Sequence, residues 1–136
     1  MTVNTIDGNS DMTTLERIVL IVEDDVDLRQ TIQWTLEDEG LLVETAGDGQ
    51  EALNRAAQHK PTLVVLDMGL PIIDGNGVAA GLRANYGDSV SILTMTADGR
   101  AAEKARRIGA VGYITKPFDL EALIVAVKHA LGTNEH

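Results

Sequence analysis

Five short aliphatic runs recur along this chain, and helical patterns of apolar residues fill the intervals between them. Ile18–Val22 is continuous, apolar and rich in β-branched residues, too short for a helix, and reads as a buried strand. Leu28, Ile32 and Leu36 then share one helical face until Gly40 offers a stop. Leu41–Ala46 reads as a second strand. Asp48 is placed to cap a helix with Glu51 three residues on; this helix runs to about His59 and ends at Pro61. Thr62–Leu66 is a third strand, followed by turn chemistry from Leu70-Pro71 to Asp74-Gly75 and a helix from about Asn76 to Asn85. Val90–Met95 is a fourth strand, and the charged stretch Gly99–Ile108 is helical up to Gly109. Val111–Thr115 is a fifth strand. Leu120, Leu123, Ile124, Val127 and Leu131 mark a last amphipathic helix closed by Gly132.

Strands and helices in strict alternation, with connections long enough for crossovers, predict a doubly wound α/β domain. Its five-stranded parallel sheet is covered on both faces. A length of 136 residues suits one such domain. Its expected span is 15–132, with a polar, aperiodic leader at 1–14 and a tail at 133–136. Aromatics make up only 3% of the chain, so the core must be aliphatic. The absence of cysteine removes disulfides, thiolate chemistry and Cys-ligated zinc. No apolar run approaches the ~20 residues of a membrane span, and the N-terminus lacks the basic start and apolar stretch of a signal peptide. The expected location is the cytoplasm.

Net charge is −10, and its distribution is uneven. Residues 11–51 hold twelve Asp or Glu against two Arg, while the remaining residues balance. This argues against a nucleic-acid or acidic-membrane surface, either of which requires Lys and Arg. Most of the block reads as solvated surface, Glu37-Asp38-Glu39 and Glu44 included.

In doubly wound sheets, ligands bind beyond the carboxyl ends of the strands. The first strand delivers Glu23-Asp24-Asp25 there, the third Asp67, the fourth Thr96-Ala97-Asp98 and the fifth Lys116-Pro117. Clustered carboxylates repel one another unless a hard cation neutralises them, and oxygen-only ligands point to Mg2+. A Lys and a Thr hydroxyl opposite suit a phosphoryl anion. Together they suggest phosphoryl transfer with Asp67 as nucleophile.

Four motifs carry a family resemblance: Val22-Glu23-Asp24-Asp25; Leu66-Asp67-Met68-Gly69-Leu70-Pro71 with Asp74-Gly75; Thr94-Met95-Thr96-Ala97; and the run from Gly109 to Lys116-Pro117-Phe118. In register over roughly residues 17–131, they resemble the receiver domains of two-component response regulators, the chemotaxis regulators among them. The resemblance implies a flavodoxin-like (βα)5 fold. It implies that Asp67 accepts a phosphoryl group from a histidine kinase or phosphotransfer protein. Asp24 would ligate Mg2+ directly, Glu23 through a metal-bound water, and the Gly69 carbonyl would complete the protein ligands beside Asp67. Lys116 would pair with phosphoryl oxygens, Thr96 would hydrogen-bond one of them, and the amides of Met68 and Ala97 would cradle the group. Tyr113 matches the switch aromatic that turns inward as Thr96 moves. A cis Lys116–Pro117 peptide is also implied.

The output would pass from the fourth helix, fifth strand and fifth helix to a protein target, to an output domain missing from this sequence, or to a second copy. Few residues follow Leu131, so the chain reads either as a natural single-domain regulator or as an excised receiver. It would catalyse only its own phosphorylation and hydrolytic reset. Two rivals come from other classes. A Mg2+-dependent phosphohydrolase with an Asp nucleophile would want a second Asp at position 69, which is Gly. A pseudo-receiver, an interaction module with a dead site, is opposed by the intact set Asp24, Asp67, Thr96 and Lys116.

Outside the site, Asp25 reads as a helix cap, and Asp98 either as another cap or as an influence on water at the phosphoryl group. Trp34, opposite the apolar stripe, is expected to be partly exposed, as a rim residue or a partner anchor. Arg100, Lys104, Arg106 and Arg107 read as a solvated face, with a partner role as the alternative. His59, His129 and His136 share no metal-ligand spacing.

Overall fold

The computed structural model describes residues 17–97 and 99–132. The expected leader, tail, His136 and both readings of Asp98 fall outside these residues. Among the described residues, five strands alternate with five helices: β1 (Ile18–Val22), α1 (Val26–Asp38), β2 (Leu42–Ala46), α2 (Gly49–Gln58) and β3 (Leu63–Asp67) come first. Next are α3 (Gly75–Tyr86), a 3-10 turn at 87–89, β4 (Ser91–Thr96), α4 (Ala101–Arg107), β5 (Gly112–Thr115) and α5 (Leu120–Leu131). The strands form one sheet in the order β2-β1-β3-β4-β5, with every pairing parallel. This is the doubly wound architecture that the alternation predicts. No helix among the described residues is long and apolar enough to cross a membrane.

Alternate side chains of the strands feed two cores, one on each face. On the first face, Leu20, Val22, Val64, Leu66 and Ile92 pack with Ala52 and Ala56 of α2 and with Val78, Ala79 and Leu82 of α3. On the second, Val19, Ile21, Val65, Leu93 and Met95 meet Ile32 and Leu36 of α1 and Leu123 and Val127 of α5. Central β3 is buried at every position, which explains its unbroken aliphatic run.

Four aspartates cap helices at the edge where the strands end. Asp25 accepts from the Leu28 amide, Asp48 from Glu51, Asp74 from Gly77 and Asp119 from Ala122, at 2.7–3.0 Å. Glu51 deviates from a simple capping box, since its Oε1 accepts from the Gly47 amide at 2.8 Å. Gly75 allows α3 to start directly under β3: a Cβ there would lie 2.5 Å from Met68 Sδ and 2.7 Å from Met68 Cα.

Candidate functional site

The sheet order places the switch point between β1 and β3. The chain leaves β1 toward β2 on one side and approaches β3 on the other, so no crossover covers the crevice at their carboxyl ends. Val22 is in register with Leu66, which sets Glu23 and Asp67 side by side just above. Carboxylate oxygens of Glu23, Asp24 and Asp67 lie within 4.8 Å of one another. Glu23 and Asp67 are 1% and 6% exposed, whereas Asp24 is open to solvent.

Lys116 reaches this group from the end of β5. Its Nζ lies 2.6 Å from Glu23 Oε1 and 3.5 Å from Asp67 Oδ2. The preceding residue, Thr115, is in register with Thr96, and the Lys116 amide donates to the Thr96 carbonyl at 2.8 Å. Thr96 is thereby held at the same edge, buried. The Lys116–Pro117 peptide is cis, as the resemblance implies.

Burial pushes the Glu23 carboxyl above its usual range. The hydrogen bonds from Lys116 and the Asp25 amide pull it down, and the Asp67 charge adds to the upward shift. Burial acts to lower the Lys116 ammonium, but the hydrogen bond and charge of Glu23, with the charge of Asp67, outweigh it, and its pKa rises. One ammonium thus faces two buried carboxylates with a third nearby. Such a set is short of positive charge, and its donors are all oxygens, which fits a hard divalent cation and then an anion.

One amide of the cradle that the resemblance implies, that of Met68, is engaged elsewhere. The Met68 amide donates to the Met95 carbonyl at 2.9 Å, extending the β3–β4 ladder. The Gly69 amide is the one that meets the nucleophile candidate, at 3.0 Å from Asp67 Oδ1. Gly69 itself leaves open space; a Cβ there would have only Asp67 Oδ1 within 4 Å, at 3.6 Å. Ala97 lines a cavity of about 310 Å3 with Leu28, Lys116, Pro117 and Phe118, beside the carboxylates.

Tyr113 stands apart from the cluster. It is 48% exposed, in register with Thr94, and borders a groove of about 580 Å3 walled by Leu93, Val111, Val125 and Ala126. Sequence reasoning placed Asp25 as a cap and Trp34 outward, and Trp34 is 58% exposed. It missed Arg29, whose guanidinium donates to the Glu23 carbonyl at 3.0 Å. Only its closeness to the acidic run hinted at this.

Comparison with known proteins gives a consistent picture. The family model described as response regulator receiver domain matches residues 19–128. The chain is 38% identical over 116 residues to the transcriptional regulatory protein PdtaR of Mycobacterium tuberculosis, covering 85% of this chain and 57% of that protein. It is 38% identical over 115 residues to the response regulator MprA of Mycolicibacterium vanbaalenii, covering 83% of this chain and 49% of MprA. The chain therefore spans about half the length of these relatives. Among solved structures, the chemotaxis response regulator CheY4 of Vibrio cholerae superposes with a TM-score of 0.77 at 31% identity, covering 84% of this chain and 98% of that one. The receiver domain of NtrX from Brucella abortus gives 0.78 at 32% identity, over 85% and 98% of the two chains.

Proposed function

The chain belongs to the response regulator receiver domain family, and on that premise we propose that Asp67 is its phosphoacceptor, within a receiver unit spanning 15–132. One observation carries the reading: a buried carboxylate at the end of the central strand lies 3.5 Å from Lys116 Nζ and within 4.8 Å of two further carboxylates. A phosphohistidine on a kinase or phosphotransfer protein is the donor. An Asp67 oxygen attacks phosphorus, the P–N bond breaks, and its electron pair leaves with the imidazole, which takes up a proton. In the reset, water attacks the same phosphorus and the P–O bond to Asp67 breaks, returning the carboxylate and inorganic phosphate.

Asp24, Asp67 and the Gly69 carbonyl would hold Mg2+, with Glu23 as the further, water-mediated carboxylate; the ion would supply the positive charge that phosphoryl oxygens require beside carboxylates. Lys116 contributes the second positive charge, and needs only to exchange Glu23 for a phosphoryl oxygen. Thr96 donates its hydroxyl to another phosphoryl oxygen, and the Ala97 amide lies at the same edge. The Met68 amide can contribute only after leaving Met95. Motion of Thr96 toward the phosphoryl group frees space for the Tyr113 ring, which biases the surface formed by α4, β5 and α5. That surface passes the signal, in the cytoplasm, to a protein target, an output domain or a second copy.

The test uses phosphoramidate and Mg2+ with intact-mass measurement. Wild type gains a single base-labile phosphoryl adduct and Asp67→Ala gains none. An unmodified wild type, with this donor and with phosphorylated kinases, or equal labelling of Asp67→Ala, overturns the reading.

A further inference from the structure

Arg29 is a half-buried cation beside the acidic cluster that the proposed chemistry does not use. Its NH1 donates to the Glu23 carbonyl at 3.0 Å, and its own amide donates to the Asp25 carbonyl at 2.9 Å. The turn between these two carbonyls is braced from within as well. The Asp25 amide donates to Glu23 Oε2 at 3.1 Å, and Asp25 Oδ1 caps α1. The residue between the two anchored ones is Asp24, solvent-exposed and within 4.8 Å of the other carboxylates.

The guanidinium also lies against a second element. It lies against Gly47 in the β2–α2 loop, where a Cβ would fall 2.9 Å from Arg29 NH1 and 3.7 Å from Glu51 Oε1. Glu51 in turn holds the Gly47 amide at 2.8 Å. Arg29 therefore bonds the β1–α1 loop and packs against the β2–α2 loop at the point where the acidic turn begins.

We propose that Arg29 is a positioning residue for the divalent-cation site: by anchoring the Glu23 carbonyl it holds the 23–25 turn and aims Asp24 into the pocket. This rests on the reading of Glu23, Asp24 and Asp67 as a cation site. Charge and geometry predict opposite signs here, which makes the role separable. The guanidinium bonds the main chain of a cluster residue, so by Coulomb's law its loss favours a nearby dication. Loss of an orienting contact behind a ligand weakens binding, by roughly tenfold or more.

The experiment measures Mg2+ affinity of the full chain from the rise of the thermal midpoint with MgCl2, at constant ionic strength. Arg29→Met removes the charge and the contact while keeping the stem. Gly47→Ala keeps the charge but displaces the flexible end of the side chain. Asp24→Asn tests the site itself. Both Arg29→Met and Gly47→Ala are expected to bind Mg2+ roughly tenfold more weakly than wild type. A lower starting midpoint in either variant does not mimic this, because affinity is read from the concentration dependence. Equal or tighter Mg2+ binding by Arg29→Met overturns the positioning role. A wild type unresponsive to Mg2+, or an Asp24→Asn variant that responds as wild type does, overturns the cation site and the proposal with it.

Discussion

Ile72 combines two costs at one position. Its φ is 67°, in the left-handed region that a β-branched residue rarely adopts, and its side chain is 99% exposed. An exposed isoleucine alone is ordinary, but one held in strained backbone gains no burial in return. Asparagine tolerates this conformation and suits the turn. Ile72→Asn should therefore raise stability by about 1 kcal/mol, read as a higher urea midpoint with an unchanged slope. An unchanged or lower midpoint would show that the loop relaxes around Ile72. At the same scale, the site was legible residue by residue where chemistry is concentrated. Asp67 and Thr96 each end a strand, Glu23 and Lys116 each directly follow one, and the topology alone gathers such ends. The 2.6 Å pairing of Lys116 with Glu23 was not legible, because it depends on which of two carboxylates the ammonium reaches before any anion arrives.

At the level of elements, periodicity located every strand and helix among the described residues, and the ends were where it blurred. The aliphatic run suggests β5 from Val111, yet the strand opens at Gly112, and Val111 stays half exposed although its amide bonds the Ile92 carbonyl at 2.8 Å. Hydrophobic runs record burial, whereas a strand ends where its neighbour's ladder ends. The helix expected over Gly99–Ile108 occupies Ala101–Arg107, and its N-cap, Arg100, makes no side-chain capping bond. Arg83 was invisible for a further reason. From α3 its guanidinium donates to the carbonyls of Gly87, Val90, Ile108 and Gly109, at 2.8–3.4 Å, and so pins the C-terminal end of α4 to the start of β4. Nothing local marks an arginine whose partners come from two loops brought together by the fold. Arg83→Met, which keeps the stem and leaves these carbonyls short of a charged donor, should cost about 2 kcal/mol in urea unfolding. A loss well under 1 kcal/mol would mean that water replaces the guanidinium.

Across the whole molecule, the uneven charge becomes a balance between stability and function. The acidic run at 11–51 supplies Glu23 and Asp24, and β3 adds Asp67, so three carboxylates converge within 4.8 Å with Lys116 among them. Two like charges about 4 Å apart repel by roughly 1 kcal/mol even in water, and more where solvent is excluded. Without a divalent cation, the folded state therefore carries a repulsion that the unfolded chain largely escapes. Asp24→Asn removes one of these charges at the exposed member of the cluster, where no packing is lost. In EDTA this variant should unfold at a higher urea concentration than wild type, by roughly 1 kcal/mol. Mg2+ should reverse the order. At a hundredfold excess over its dissociation constant, an ion that binds only the folded state adds about 2.7 kcal/mol to wild type. The variant lacks that gain, so the two proteins should exchange rank between EDTA and saturating MgCl2. Unfolding curves in the two buffers check this directly. If Asp24→Asn is the less stable protein in EDTA, the cluster is not a repulsive one and Lys116 already neutralises it. The order in EDTA thus reports whether the cluster is held against its own charge, and the reversal in MgCl2 reports which ligand relieves it.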